Sequence, residues 1–215
     1  MPIEELRRRL LAAALPHVPF DGWSRQCLGA AARDAGLSAA QARIAFPRGA
    51  ADLVDFHARQ GDRRMEAGLA TRDFGALRIR EHIAAAVRLR LETADGGREA
   101  ARRLLALAAT PGHAAWAARA LYRTVDAIWY AIGDDSTDVN FYTKRALLAG
   151  VYAATLLVWL NDESEDSALT WAFLDRRIED VMRIQKARGR LERAVGRLPS
   201  PFRLLGTMAP PRPAG

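Results

Sequence analysis

The chain has 215 residues, 50% hydrophobic and 27% charged, with one cysteine and a formal net charge of +7. That is enough chain to bury a core without disulfides, and its ordinary composition excludes a wholly disordered, collagenous or coiled-coil protein. The lone Cys27 excludes an internal disulfide or a cysteine-built zinc site and points to a reducing compartment.

Helix is expected almost throughout, because Ala, Leu and Arg dominate and strand-like alternation is missing. A first helix over 3–15 stops at Pro16, and the turn formers of 16–22 read as a linker. Ser24 caps a second helix that ends at Gly36, and Ser38 caps a short third one that runs to Phe46, before Pro47 and Gly49. Residues 50–72 carry Val54, His57, Gly61, Met65 and Gly68 at helical spacing, and 76–94 carry Ile79, Ile83, Ala86 and Val87. Gly96-Gly97 and Pro111-Gly112 bound a helix over 98–109 and open another over 113–132. The acidic turn 133–138 leads to a helix over 139–160. A second acidic loop, 162–166, leads to a helix through Lys186 with Leu174, Ile178, Val181 and Met182 on one stripe. The longest uncharged apolar stretch is the fifteen residues 146–160. About twenty are needed to cross a bilayer, so this stretch is expected as a buried core helix. No secretory hydrophobic run precedes it.

The short trio, with its Ala35-Gly36-Leu37-Ser38 turn, has helix-turn-helix proportions. A small three-helix head on a larger helical body resembles the TetR-like arrangement, so the expected fold is all-α and TetR-like. The expected regions are 1–48 (head), 49–186 (ligand-binding body) and 187–215 (basic amphipathic tail).

Enzyme signatures fail in turn. There is no phosphate loop, dinucleotide fingerprint or nucleophile elbow. His17, His57, His82 and His113 never fall at helical metal-ligand spacing, so no metal and no catalytic residue is assigned. His57, on an apolar stripe, is expected as a hydrogen-bonded core histidine. The carboxylates of 134–138 and 162–166 could bind a cation, but neither set has the pattern of a calcium loop and both suit a helix N-terminus. Within 38–46 only Gln41 and Arg43, helped by Arg48, could read DNA, and the surrounding body is neutral. The head is therefore expected to pack rather than bind DNA.

The body presents Ile83, Val87, Leu91, Leu104, Leu107, Leu121, Val125, Ile128, Leu148, Val151, Tyr152 and Thr155. These residues suit either a solid core or the lining of a lipid cavity, and the sequence does not separate the two.

Residues 181–215 hold eight basic residues against Glu192 alone, which accounts for the whole excess charge. On a helix, Leu191, Val195 and Leu198 share one face with Ala187 and Ala194, while Arg190, Arg193 and Arg197 cluster beside it. After Pro199-Ser200-Pro201 come Phe202, Leu204 and Leu205. This pattern reads as an element for an anionic membrane surface, against a helix packed on its own body or a disordered basic tail.

Three blocks carry a family resemblance. The first is Ala14-Leu15-Pro16-His17-Val18-Pro19-Phe20-Asp21-Gly22-Trp23-Ser24 with Phe46-Pro47-Arg48-Gly49. The second runs from Ile128-Trp129-Tyr130 through Gly133-Asp134-Asp135-Ser136-Thr137-Asp138 to Arg145. The third is Thr170-Trp171-Ala172-Phe173-Leu174-Asp175-Arg176-Arg177-Ile178. In this order, over about residues 3–188, they resemble the Coq-nine family of lipid-binding accessory proteins in ubiquinone biosynthesis. The resemblance implies a TetR-like fold that has given up DNA binding, holds a lipid or isoprenoid quinone and has no other cofactor. It also implies a partner, a di-iron demethoxyubiquinone hydroxylase, docked around Asp138, Asn140, Phe141, Tyr142 and Arg145. The family often has Trp at 141 and Arg at 144, so this chain keeps an aromatic and a charge there.

With no presequence and 30 Arg to two Lys, the chain reads as a bacterial homologue, cytoplasmic and peripheral at the inner membrane. By analogy with TetR-like proteins it is expected to form a homodimer through 139–160 and 167–186. The expectation is a non-enzymatic protein that presents a membrane-buried quinone precursor to that hydroxylase. The alternative is a TetR-family transcriptional regulator sensing a hydrophobic effector.

Overall fold

The computed structural model describes residues 1–72, 78–133 and 139–195, without the side chains of 139–140 and 185–195. Among the described residues there are only helices and turns. The head comprises α1 (Ile3–Ala14), α2 (Val18–Asp21), α3 (Arg25–Asp34) and α4 (Ala39–Ala45). The expected helix starts hold. The Ser24 hydroxyl accepts from the Cys27 amide, and Ser38 and Gln41 form a reciprocal capping box. Gly36 turns the chain between α3 and α4 at φ +63°, where a side chain would be strained.

Two N-terminal arginines close the other ends. Arg9 donates to the Ala35 carbonyl at 2.6 Å and Arg7 to that of Ala45 at 2.8 Å, covering carbonyls that α3 and α4 leave unpaired. Leu10, Ala14, Val18, Cys27, Phe46, Leu53 and Val54 make the head's core. One expectation fails here. The 16–22 linker contains a turn of helix, α2, because Pro19 sits in its first turn, where a missing N–H costs nothing.

The body comprises α5 (Ala50–Ala70), α6 (Ile79–Glu92), α7 (Gly97–Ala108), α8 (Ala114–Ala131) and α9 (Val139–Asn161), followed by α10 (Ala168–Val195). Helix α5 packs on α6 and α8, and α9 on α6, α7 and α8. Gly61 and Gly68, a heptad apart, let α6 approach α5. A Cβ at Gly61 would lie 2.6 Å from the Arg90 guanidinium carbon, and one at Gly68 2.6 Å from a Leu89 methyl. The Trp23 indole donates to the Ala100 carbonyl at 3.2 Å, joining head to α7. The junction before α10 is tied by Asp162, which accepts from the amides of Ser164 and Thr170. Bonds from the Ser164 and Thr170 hydroxyls, helped by those from the two amides, hold the Asp162 carboxyl well below the usual carboxylate range.

The apolar helix is longer than its fifteen uncharged residues suggest. Helix α9 has 23 residues, and Phe141–Asn161 (mean hydropathy 1.2) is long and apolar enough to cross a membrane by length and composition. It reads as a body helix because Leu148, Val151, Tyr152, Thr155 and Trp159 are buried on its inner face, while Leu157 faces outward. The chain divides into two compact units, Met1–Asp175 and Arg176–Gly215. Within the second, Arg183 pairs with Glu179 and Arg177 with Asp180 along α10.

Candidate functional site

Between α5, α6, α7, α8 and α9 lies a partly open cavity of about 200 Å³. Small side chains leave the space. Ala101 and Ala108 of α7, Ala117 and Ala120 of α8 and Ala153 of α9 all face it, where leucines would have met. Leu91, Leu104, Leu105, Leu121, Leu156 and Trp159 complete an apolar wall.

The remaining lining is polar: His57, Arg90, Trp116, Thr124 and Tyr152, with Ala58 beside them. Arg90 donates through Nε to Asp62 at 2.8 Å and through Nη2 to the Ala58 carbonyl at 3.2 Å. Asp62 also accepts from the Thr124 hydroxyl at 2.8 Å and from Arg123 at 3.3 Å, and Arg123 reaches Asp55 at 3.1 Å. Each charge in this layer has a partner of opposite sign, as burial requires. Burial raises the Tyr152 pKa, with nearby Asp62 adding to the rise and Arg90 opposing it, so the hydroxyl stays protonated.

His57 is 7% exposed and packs against Trp23 with ring centroids 4.6 Å apart and planes tilted by 39°. The expectation of a hydrogen-bonded core histidine is half corrected: it is buried, but its Nδ1 has no partner. Burial, and the charges of Arg90 and Arg64, lower its pKa to about 4, with Asp95 opposing, so the ring is neutral at physiological pH.

Of the sequence-derived lipid contacts, Leu91, Leu104, Leu121 and Tyr152 line the cavity. Ile83, Val87, Val125, Ile128, Leu148, Val151 and Thr155 are buried in the surrounding packing, and Leu107 leans on the head's core. His57, Arg90, Trp116, Thr124 and the alanines were not assigned to a site. The only signal for them in the sequence was the run of alanines at helical spacing in α7 and α8.

Of the partner-surface residues, Tyr142 is 70% exposed, and its ring meets that of Phe141 edge-on at 5.1 Å. Arg145 is buried, pairs with Asp126 at 2.7 Å and holds its guanidinium over the Phe141 ring. It thus braces the aromatic pair and joins α9 to α8. Asp138 lies outside the described residues, and for Asn140 only the backbone is described. Among the tail residues, Arg190, Leu191, Arg193 and Val195 continue α10 as backbone, while Arg197, Leu198, Phe202, Leu204 and Leu205 lie outside the described residues. On the head, the side chain of Gln41 is engaged in its capping box and Arg48 pairs with Asp52 at 2.7 Å.

A TetR transcriptional regulator from Nitrosomonas europaea shares this fold with a TM-score of 0.67, at 21% identity over 81% of this chain and 97% of that one. Residues 114–185 match the family model COQ9. The mitochondrial ubiquinone biosynthesis protein COQ9 of Rattus norvegicus is 34% identical over 83% of this chain and 59% of its own length. Its Homo sapiens counterpart is 33% identical over 83% and 58%, and that of Drosophila melanogaster 33% over 85% and 57%. The chain thus spans less than two thirds of the length of these relatives. The matched region takes in α8, α9 and the start of α10, two of which wall the cavity, and over most of its length the chain is similar to COQ9 proteins.

Proposed function

We propose that this protein is a non-enzymatic, lipid-binding accessory protein of ubiquinone biosynthesis that presents a membrane-buried quinone precursor to a demethoxyubiquinone hydroxylase. The observation that carries the lipid reading is the alanine-walled cavity, apolar on most of its lining, in a chain related to ubiquinone biosynthesis proteins. Moving a polyprenyl chain from bilayer to water costs about 0.8 kcal/mol per CH₂. A protein that offers apolar walls at the membrane surface lowers that barrier without breaking a bond.

In this reading the basic tail docks on anionic lipid and places the protein peripherally at the inner membrane. The hydroxylase binds around Asp138, Asn140, Phe141, Tyr142 and Arg145, and the protein acts as a homodimer. Exposed Tyr142, with Phe141 braced by Arg145, supports the partner surface. A repressor role is weakened by the head, where Gln41 and Arg48 are already engaged.

Mass spectrometry of the protein purified without detergent tests the central point. An isoprenoid lipid is expected at a stoichiometric level. Lipid-free protein, with normal ubiquinone and no demethoxy intermediate in a deletion strain, would remove the proposed function. Sequence-specific, salt-sensitive DNA binding would replace it with the regulator.

A further inference from the structure

At about 200 Å³ the cavity is smaller than the ~300–1,000 Å³ of pockets that take up a whole drug-sized ligand. A long lipid chain therefore enters only if a wall moves. Helix α7, which presents Ala101, Leu104, Leu105 and Ala108 to the space, is the wall least committed to the core. It has one buried residue, Ala100, where α5 has nine, α6 six and α8 four. Segments with few buried apolar contacts open at the lowest cost. The chain also breaks at both ends of α7. Gly96 and Gly97 lead into it at φ +73° and +60°, and Thr110-Pro111-Gly112 follow it. Just before the glycines, Arg64 pins the turn by bonding both carboxylate oxygens of Asp95, so a pivot would start at Gly96.

The head holds α7 in place. The Trp23 indole donates to the Ala100 carbonyl at 3.2 Å, and Arg103 donates to the Pro19 carbonyl of α2. Leu15 lies against Gly96, where a Cβ would come within 3.0 Å of its methyl. Trp23 and Leu15 are packed in or on the head's core and cannot follow a moving helix. Leu104 joins the two regions, packing on that core and lining the cavity. Toward α9 the ties are of another kind. Arg98 reaches the Ser167 hydroxyl at 2.7 Å and Arg102 the Leu160 carbonyl, each on a long stem with rotamers to spare.

We propose that α7 is the moving wall of the cavity, hinged at Gly96-Gly97, and that the head is the latch that holds it in place. The inference rests on the lipid-binding reading and adds how the ligand gets in. A latch sets the barrier between the free and bound states, so releasing it speeds entry and exit together and leaves affinity level.

Stopped-flow binding of the apolar dye N-phenylnaphthylamine to the full-length protein tests it. Trp23→Phe keeps a ring and removes the N–H, and Arg103→Met keeps the stem and removes the donor. Each is expected to raise both rates about fivefold, as loss of one hydrogen bond would, with Kd within about twofold. Phe20→Cys with Arg103→Cys, joined by a bis-maleimide, ties α2 to α7 and should slow entry roughly tenfold. Before cross-linking, the same double variant should behave as Arg103→Met. Phe20 is 86% exposed and open to the reagent, whereas Cys27 is buried with its thiol pushed up to about 11 and stays unlabelled. Unchanged rates in both single variants, or a change in Kd carried by exit alone, would overturn the latch and leave lipid binding standing. Entry that ignores the cross-link would do the same, and this arm decides the matter if a single variant loses its helical signal. Failure of the dye to bind any of these proteins, together with lipid-free purified protein, would overturn both readings.

Discussion

His57 concentrates a stability cost in a single side chain. It is buried against Trp23, its Nδ1 is unpaired, and burial together with Arg90 and Arg64 holds its pKa near 4 against an ordinary 6.5. Because the folded pKa is lowered, the unfolded chain binds the proton first as pH falls. The stability from the neutral ring is therefore complete above about pH 6.5 and drains away as pH falls toward 4. Over that window the loss is on the order of 3 kcal/mol. Urea unfolding at pH 7 and pH 4.5 should show a steeper loss for the native chain than for His57→Phe, whose other titrating groups are the same. Parallel slopes would mean that His57 is not buried as a neutral ring. At pH 7 the Phe variant should be about 1 kcal/mol more stable, since it removes an unsatisfied polar group. The burial of His57 was legible from its apolar stripe. Its missing partner was not, because hydrogen bonding at that site depends on what α6 and α8 bring to α5.

At the scale of helices, the starts at Ser24 and Ser38 and the breaks at Gly36, Gly49 and Gly96 were legible because caps and left-handed turns are local chemistry. The turn α2 was hidden by two prolines that read as a linker, yet one of them is compatible with a helix start. The cavity was harder still. Apolar pattern points to large side chains, and most of those chosen prove to be packed, with Val87, Ile128 and Thr155 fully buried. Space arises where small residues of three helices face one another, a relation across elements that no single helix displays. Ala120→Leu on α8 or Ala153→Leu on α9 should fill that space, abolish co-purification of lipid and leave the helical signal intact. Thermal midpoint should stay level or rise in at least one variant, since a partly empty cavity is being packed. Retention of lipid by both variants would show that the bound chain lies elsewhere.

For the whole molecule, the +7 charge has a location rather than a spread. Arg188, Arg190, Arg193, Arg197, Arg203 and Arg212 stand against Glu192 in 187–215, while residues 1–180 are neutral. A charge spread over the head would have favoured DNA, but there Arg7 and Arg9 close helix ends and Arg48 is paired. The part of the charge that the sequence leaves without balancing acids is at the end of the chain. Each basic residue near an anionic leaflet contributes roughly 1 kcal/mol, and interleaved Leu191, Val195, Leu198, Phe202, Leu204 and Leu205 would add apolar insertion. The full chain is expected to float with liposomes containing phosphatidylglycerol and to be released as salt rises, because surface charge is screened within about 8 Å at physiological ionic strength. A chain ending at residue 186 should stay folded and near-neutral and remain at the bottom of the gradient. Replacing Arg190, Arg193 and Arg197 by Gln should weaken flotation without changing the helical signal. Should the shortened chain float as well as the full one, the membrane contact belongs to the body, and the apolar outer face of α9, where Leu157 is exposed, becomes the surface to test.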